Sequence, residues 1–273
     1  MRDPEELAVL IAAARRYLED RVSMGETSIV LGPGRAPRRP REEPPRRPGG
    51  AALPSGASRA REAAGRDTAR ANGSAGPDDP ERPADIQVDK RALGELEKKA
   101  KKCTDCPLHK NRTQAVFGTG SGRTGLVFVG EAPGRDEDLQ GAPFVGRAGQ
   151  LLTRIIEAIK FNREDVYITN VIKCRPEGNR DPLPDEVTTC SPYLAGQLEL
   201  LRPRVICALG RFAAEALSGV KMSMAEYRCA DLSYKGIKVI ATYHPAACLR
   251  NPDLKKLVWE DVQKLRDVWK NSG

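Results

Sequence analysis

The sequence has no run of about 18 consecutive apolar residues, which excludes a membrane-spanning helix of ordinary length. Its first residues, Met1 to Glu6, lack the basic start and apolar stretch of a secretory signal, so the expected location is the cytoplasm. No glycine-rich loop carries the lysine and Ser/Thr of a P-loop, and none completes the dinucleotide fingerprint. Nucleoside-triphosphate and NAD chemistry are therefore not expected. Aromatic residues are only 5% of the 273, and histidine occurs twice.

The scarcity is uneven. Residues 33–83 contain no lysine, no aromatic residue and one large aliphatic, Leu53, but ten of the 21 prolines and eleven arginines. Such a stretch cannot bury enough apolar surface to offset its ordering entropy. It predicts a disordered Pro/Arg/Gly-rich linker over 33–85, between an N-terminal segment (1–32) and a folded domain (86–273). Four basic against six acidic residues give the N-terminal segment −2. Eleven against seven give the linker +4, which leaves +6 of the chain's +8 on the remainder. A basic fold suits a polyanionic partner.

Leu7, Leu10, Ile11, Ala14, Tyr17, Leu18 and Val22 recur at helical spacing, so residues 4–23 read as an isolated amphipathic helix. It can dock on the core, on itself or on a protein partner. The arginine-rich linker can add phosphate contacts or act as a passive tether. From residue 89 onward helices alternate with short apolar strands. Helices are expected over 89–102, 148–159, 184–201, 210–217 and 253–269. Strands are expected at 126–129, 166–168, 205–209 and 237–242. This alternation predicts an α/β fold of three layers, α/β/α, around a short parallel four-stranded sheet. Ligands bind such sheets beyond the carboxyl ends of the strands, where Glu131, Asn170 and His244 fall.

Seven cysteines, an odd number, argue against a disulfide framework in a reducing compartment. Cys103 and Cys106 form a Cys-x2-Cys pair able to grip one metal centre, and Cys174 and Cys190 lie downstream. Four such thiolates suit either Zn²⁺ or a [4Fe–4S] cluster, and spacing alone favours neither. Cys207 lies within a strand as a small hydrophobe, and Cys229 and Cys248 have no partner pattern. His244 ends a strand before a proline, where it can donate to a ligand oxygen that gains charge or be satisfied by local backbone. Glu131 stands in a tight loop and can orient a water. Asn170 can read a base edge or cap a turn. Phe144, in a loop, can stack on a planar ligand or cover a core edge.

In order and spacing, several segments together resemble the family 4 uracil-DNA glycosylases, the iron–sulfur type. They are the Cys103/Cys106 pair, Gly130 to Gly134, Glu137-Asp138, Pro143 to Leu152, Thr169 to Pro176, Pro182 to Glu186, Cys190 and His244 to Ala246. The likeness covers about residues 98–270.

The resemblance implies a monofunctional, monomeric repair enzyme. It flips uracil out of single- or double-stranded DNA and hydrolyses the N-glycosidic bond to leave an abasic site. It implies one structural [4Fe–4S] cluster on Cys103, Cys106, Cys174 and Cys190. Glu131 would position water and His244 would bond uracil O2. Phe144 would stack on the base and Asn170 would read its edge. Glu137 would crowd C5 against thymine, and backbone N–H groups near Glu131 and Ala132 would contact the base. The segment from His244 to Asn251 resembles a loop that enters the minor groove, with Leu249 and Arg250 as wedge candidates. Family 5 lacks the equivalent of Glu131. The branch that bonds covalently to the abasic site carries an extra histidine absent from Pro176 to Cys190. The alternative reading, from another class, is a non-catalytic iron–sulfur or zinc module that binds nucleic acid.

Overall fold

The structure, a computed structural model, describes residues 84–272. The helix expected over 4–23 and nearly all of the expected linker lie outside the described residues. Five strands form one sheet: β1 (Leu126–Gly130), β2 (Tyr167–Asn170), β3 (Val205–Leu209), β4 (Leu232–Tyr234) and β5 (Ile237–Thr242). Their spatial order is β2-β1-β3-β5-β4. The four expected strands are all present and mutually parallel. The sheet nonetheless has five strands, not four, because β4 adds to the edge antiparallel to β5. Leu232–Tyr234 is too short to carry an alternation signal. The turn that pairs it, Lys235-Gly236, has positive φ at both residues, the geometry of a two-residue hairpin.

The helices are α1 (Lys90–Lys102), α2 (Arg135–Gln140), α3 (Arg147–Ala158), α4 (Pro184–Leu201), α5 (Arg211–Ser218), α6 (Met224–Cys229), α7 (Pro245–Arg250) and α8 (Leu254–Lys270). Asp89 caps α1 by accepting from the Ala92 amide at 2.9 Å. Strand side chains alternate between two cores. Val127, Val129, Ile206 and Ala208 pack with Leu194 and Leu198 of α4 and Ala213 and Ala214 of α5. Leu126, Phe128, Val205 and Cys207 pack with Leu152 and Ile156 of α3 and Val258, Val262 and Leu265 of α8. Truncating one of these fully buried aliphatic side chains to alanine should cost about 2–5 kcal/mol.

The order of the strands positions the site. Successive crossovers run to opposite sides of β1, so the chain reverses direction across the sheet between β1 and β3. A crevice opens there at the carboxyl ends. Register places Gly130 beside Asn170, and Leu209 beside Thr242. At the outer edge of β2, residue Thr119 bridges Ile168 antiparallel, with both amides bonded. The segment after His244, expected as a loop, is helical: α7 starts with Pro245 at its first position, where the missing N–H costs nothing. No helix among the described residues is long and apolar enough to cross a membrane.

Candidate active site and cysteine cavity

A cleft of about 420 Å³ opens at the carboxyl end of the sheet. Glu131, Ala132, Glu137, Phe144, Asn170, His244 and Arg250 all line it, so most of the residues singled out in sequence converge. Leu249 does not line it; this residue is 39% exposed on α7. The loop between β2 and α4 supplies four lining residues that sequence reasoning passed over: Pro176, Asn179, Arg180 and Asp181. The available signal was their position between two proposed ligand cysteines, a short polar run that had to cross near the strand ends.

Asn170 is the last residue of β2 and is 1% exposed. Its side-chain Oδ1 is buried without a hydrogen-bond partner among the described residues. A buried acceptor left unpaired costs about 1–3 kcal/mol, so such an atom at a cleft calls for a ligand donor. Beside it, Gly130 must be glycine. A Cβ there would run into Asn170 Oδ1 and come within 2.6 Å of the Phe144 ring.

Phe144 is held in an unusual backbone conformation, φ 55°. Its loop is tied from both sides. Glu137 Oε1 accepts from the amides of Val145 (3.0 Å) and Gly146 (3.1 Å), and Glu137 Oε2 accepts from Gly134 (3.1 Å). Arg163 donates to the carbonyls of Pro143 and Phe144 at 2.8 and 3.0 Å. Glu137 therefore clamps the two glycine-rich loops together while facing the cleft. The Phe144 ring stands 5.4 Å, centre to centre, from the imidazole of His244, tilted by 34°.

His244 caps α7: its Nδ1 accepts from the Ala246 amide at 3.1 Å. An accepting Nδ1 carries no proton, so the neutral ring bears its hydrogen on Nε2 and is a donor there. Burial, with the nearby charge of Arg250, pushes its pKa down to about 4. Glu131 moves the other way. Burial first, then the negative charge of Asp181, holds its carboxyl above the usual range, against the pull of Arg211. The cleft thus joins an unpaired acceptor, an aromatic face, a neutral donor and a carboxylate.

A second, small cavity is lined by Cys103, Cys106, Cys174 and Cys190 together with Arg112, Lys173 and Tyr193. Among the described residues, no group of three or more His, Cys, Asp or Glu side chains is arranged to hold one metal ion. The four thiols stand around a common space. Arg112 donates to Cys174 Sγ at 3.0 Å and to the Cys103 carbonyl at 2.8 Å, and the Lys173 amide donates to Cys190 Sγ at 3.3 Å. Burial pushes the Cys190 thiol up to about 11 against the charge of Lys173, and raises Cys174 against Arg112. As free thiols both would stay protonated at neutral pH. Four soft sulfur donors fit a thiophilic, positively charged centre that draws off those protons, and the neighbouring Arg112 favours the thiolates so formed. Cys207 and Cys248 are buried elsewhere and Cys229 is exposed.

Lys173 lies between the two cavities. Its fully buried ammonium donates to Thr169 Oγ1 (2.8 Å), Gln197 Oε1 (2.6 Å) and the backbone carbonyl of Asn170 (2.6 Å).

Residues 117–266 match the sequence model described as the uracil DNA glycosylase superfamily. The type-4 uracil-DNA glycosylase of Archaeoglobus fulgidus is 47% identical over 188 residues, covering 65% of this chain and 93% of the relative. That of Thermotoga maritima is 46% identical over 182 residues, covering 65% and 95%. A type-5 uracil-DNA glycosylase of Pyrobaculum aerophilum is more distant, 33% identical over 135 residues that cover 46% of this chain and 56% of the relative.

Proposed function

The chain belongs to the uracil DNA glycosylase superfamily, and from that premise we propose the chemistry of its cleft. It is a type-4 uracil-DNA glycosylase, a monofunctional hydrolase that excises uracil in base excision repair. The observation that carries the assignment of roles is the orphaned Oδ1 of Asn170, flanked by an aromatic ring and an imidazole.

Uracil in a duplex is stacked, so the nucleotide must be extruded, at a cost of a few kcal/mol. In our reading the flipped base lies against Phe144, and Asn170 Oδ1 accepts from its N3–H. The backbone at Ala132 lines the same pocket. Glu137, by clamping the Phe144 loop, fixes how closely the wall approaches C5, which leaves no room for the methyl group of thymine. As the C1′–N1 bond breaks, its electron pair moves onto the base. The Nε2–H of neutral His244 meets the charge that develops on O2. A donor whose partner gains negative charge strengthens along the reaction coordinate, which is the differential binding that lowers the barrier. Glu131 orients the water that adds at C1′ and takes its proton, and its carboxylate favours the positive charge on the sugar.

Cys103, Cys106, Cys174 and Cys190 would hold one [4Fe–4S] cluster, which supplies structural cross-linking here. What supports this reading is that all four line the same small cavity. Arg250 at the cleft and exposed Leu249 on α7 would meet DNA, with Leu249 filling the gap left by the extruded base. Residues 86–273 form the glycosylase domain, a monomer acting on nucleoid DNA in the cytoplasm.

The test is release of uracil from a labelled oligonucleotide. Asn170→Ala and His244→Ala should each lose most of the activity while the protein stays brown. Full activity in both variants would remove this site.

A further inference from the structure

The Ala246 amide fixes the tautomer of His244, but the strand end that carries the ring is held from behind the cleft. We propose that Thr242, Asp261 and Arg228 form a positioning bracket behind the active site, which aims the His244 imidazole at the base. The proposal rests on the reading of His244 as the donor to O2.

The geometry is specific to the end of β5. Asp261, on α8, is 5% exposed, and its Oδ2 accepts two hydrogen bonds of 2.7 Å, one from Thr242 Oγ1 and one from Arg228 Nε. Arg228, on α6, lies with its guanidinium carbon 5.6 Å from the centre of the Tyr243 ring, and it donates to the Leu257 carbonyl at 3.1 Å. The bracket therefore grips Thr242 and Tyr243, the two residues immediately before His244, with side chains from two separate helices. The backbone adds one tie, from the Gly210 amide to the Thr242 carbonyl at 2.7 Å.

None of these three side chains lines the cleft, so none meets the base. Stability alone does not account for them. Burial raises the Asp261 carboxyl despite its partners, and a buried ion pair of this kind is often neutral or worse against a well-packed apolar replacement. What the pair provides is a fixed exit direction for the chain as β5 ends. A hydrogen-bond donor that stabilises a developing anion depends steeply on its placement, and a displacement of about 1 Å can cost roughly a hundredfold in rate.

The experiment is a double-mutant cycle on steady-state uracil release by the full chain, resolving kcat from KM, with melting temperature and visible absorption recorded as controls on the fold. Thr242→Val removes the hydroxyl at nearly constant volume. It should lower kcat roughly ten- to a hundredfold with KM nearly unchanged, while Thr242→Ser restores most of the rate. In a His244→Ala background, Thr242→Val should have no further effect, because the bracket acts only through that ring. Asp261→Asn keeps an acceptor for Thr242 but frees Arg228. It should fall between wild type and Thr242→Val, and it stands in if the valine variant does not fold. Wild-type kcat in Thr242→Val, failure of serine to rescue, or fully additive losses in the double mutant would overturn the bracket. Full activity of His244→Ala would instead overturn the donor reading itself, and the bracket with it.

Discussion

The protonation of His244 can be followed almost in isolation, because the chain contains only one other histidine, His109. Burial pushes the His244 pKa from its usual 6.5 to about 4. In the folded protein the ring should therefore stay neutral throughout the physiological range. The sign of the linked stability follows. The unfolded chain takes up a proton near pH 6.5, whereas the folded protein resists it until about pH 4. Above pH 6.5 the group contributes no dependence. Between 6.5 and 4, stability falls as pH falls, by about 3 kcal/mol in total, and levels off below. Two measurements check this. Carbon-13 labelling of the histidine rings should give two titration curves, assigned with His109→Gln, and the His244 curve should bend only near pH 4. Denaturant unfolding at several pH values should show an acid loss that shrinks in His244→Gln. A His244 midpoint at 6.5 would refute the reasoning. It would mean that the ring is solvated, or that a carboxylate holds its proton, and either would end its role as a neutral donor. The acid limb of catalysis belongs to a different group. Glu131, held above the usual carboxylate range, should set the pH below which excision slows, and Glu131→Gln should abolish that limb.

The remaining expectations concern packing and the cysteines. Gly130→Ala should lower uracil release by about a hundredfold or more, because its methyl would push the Phe144 ring and the Asn170 amide apart; unchanged kinetics would mean that the base does not lie there. Lys173→Met should leave Thr169, Gln197 and the Asn170 carbonyl short of a donor and cost about 3 kcal/mol in a melt, with a further loss of kcat from a misplaced Asn170. Cys190→Ala should bleach the visible absorption and lower the melting temperature, and an unchanged spectrum would exclude that ligand.

Much of this arrangement was legible in sequence because parallel strands are buried on both faces and end at one edge. Leu126 to Val129 and Val205 to Leu209 read as continuous apolar runs, and the polar residues at the ends of β1, β2 and β5, namely Glu131, Asn170 and His244, fall at the edge where such sheets bind ligands. Other features were hidden for physical reasons. β4 is three residues long, so it carries no period. The helix after His244 begins with a proline that reads equally well as a loop. Asn179 to Asp181 sit in a polar run whose path is set by the folded chain and by no local propensity. The clamp made by Glu137 depends on amides eight and nine residues away, Val145 and Gly146, a distance at which no spacing rule operates.

The small strand β4 and the bridge at Thr119 have a consequence for the protein in a crowded solution. A parallel sheet of four strands has two rims of unpaired amides and carbonyls, each able to recruit the same rim of another copy. Here one rim is paired by a three-residue antiparallel strand that turns back at Lys235-Gly236, and the other is interrupted where Thr119 crosses Ile168. A long, flat template for edge-to-edge growth is thus missing on both sides, and chains gathered on the same stretch of DNA gain little from joining sheets.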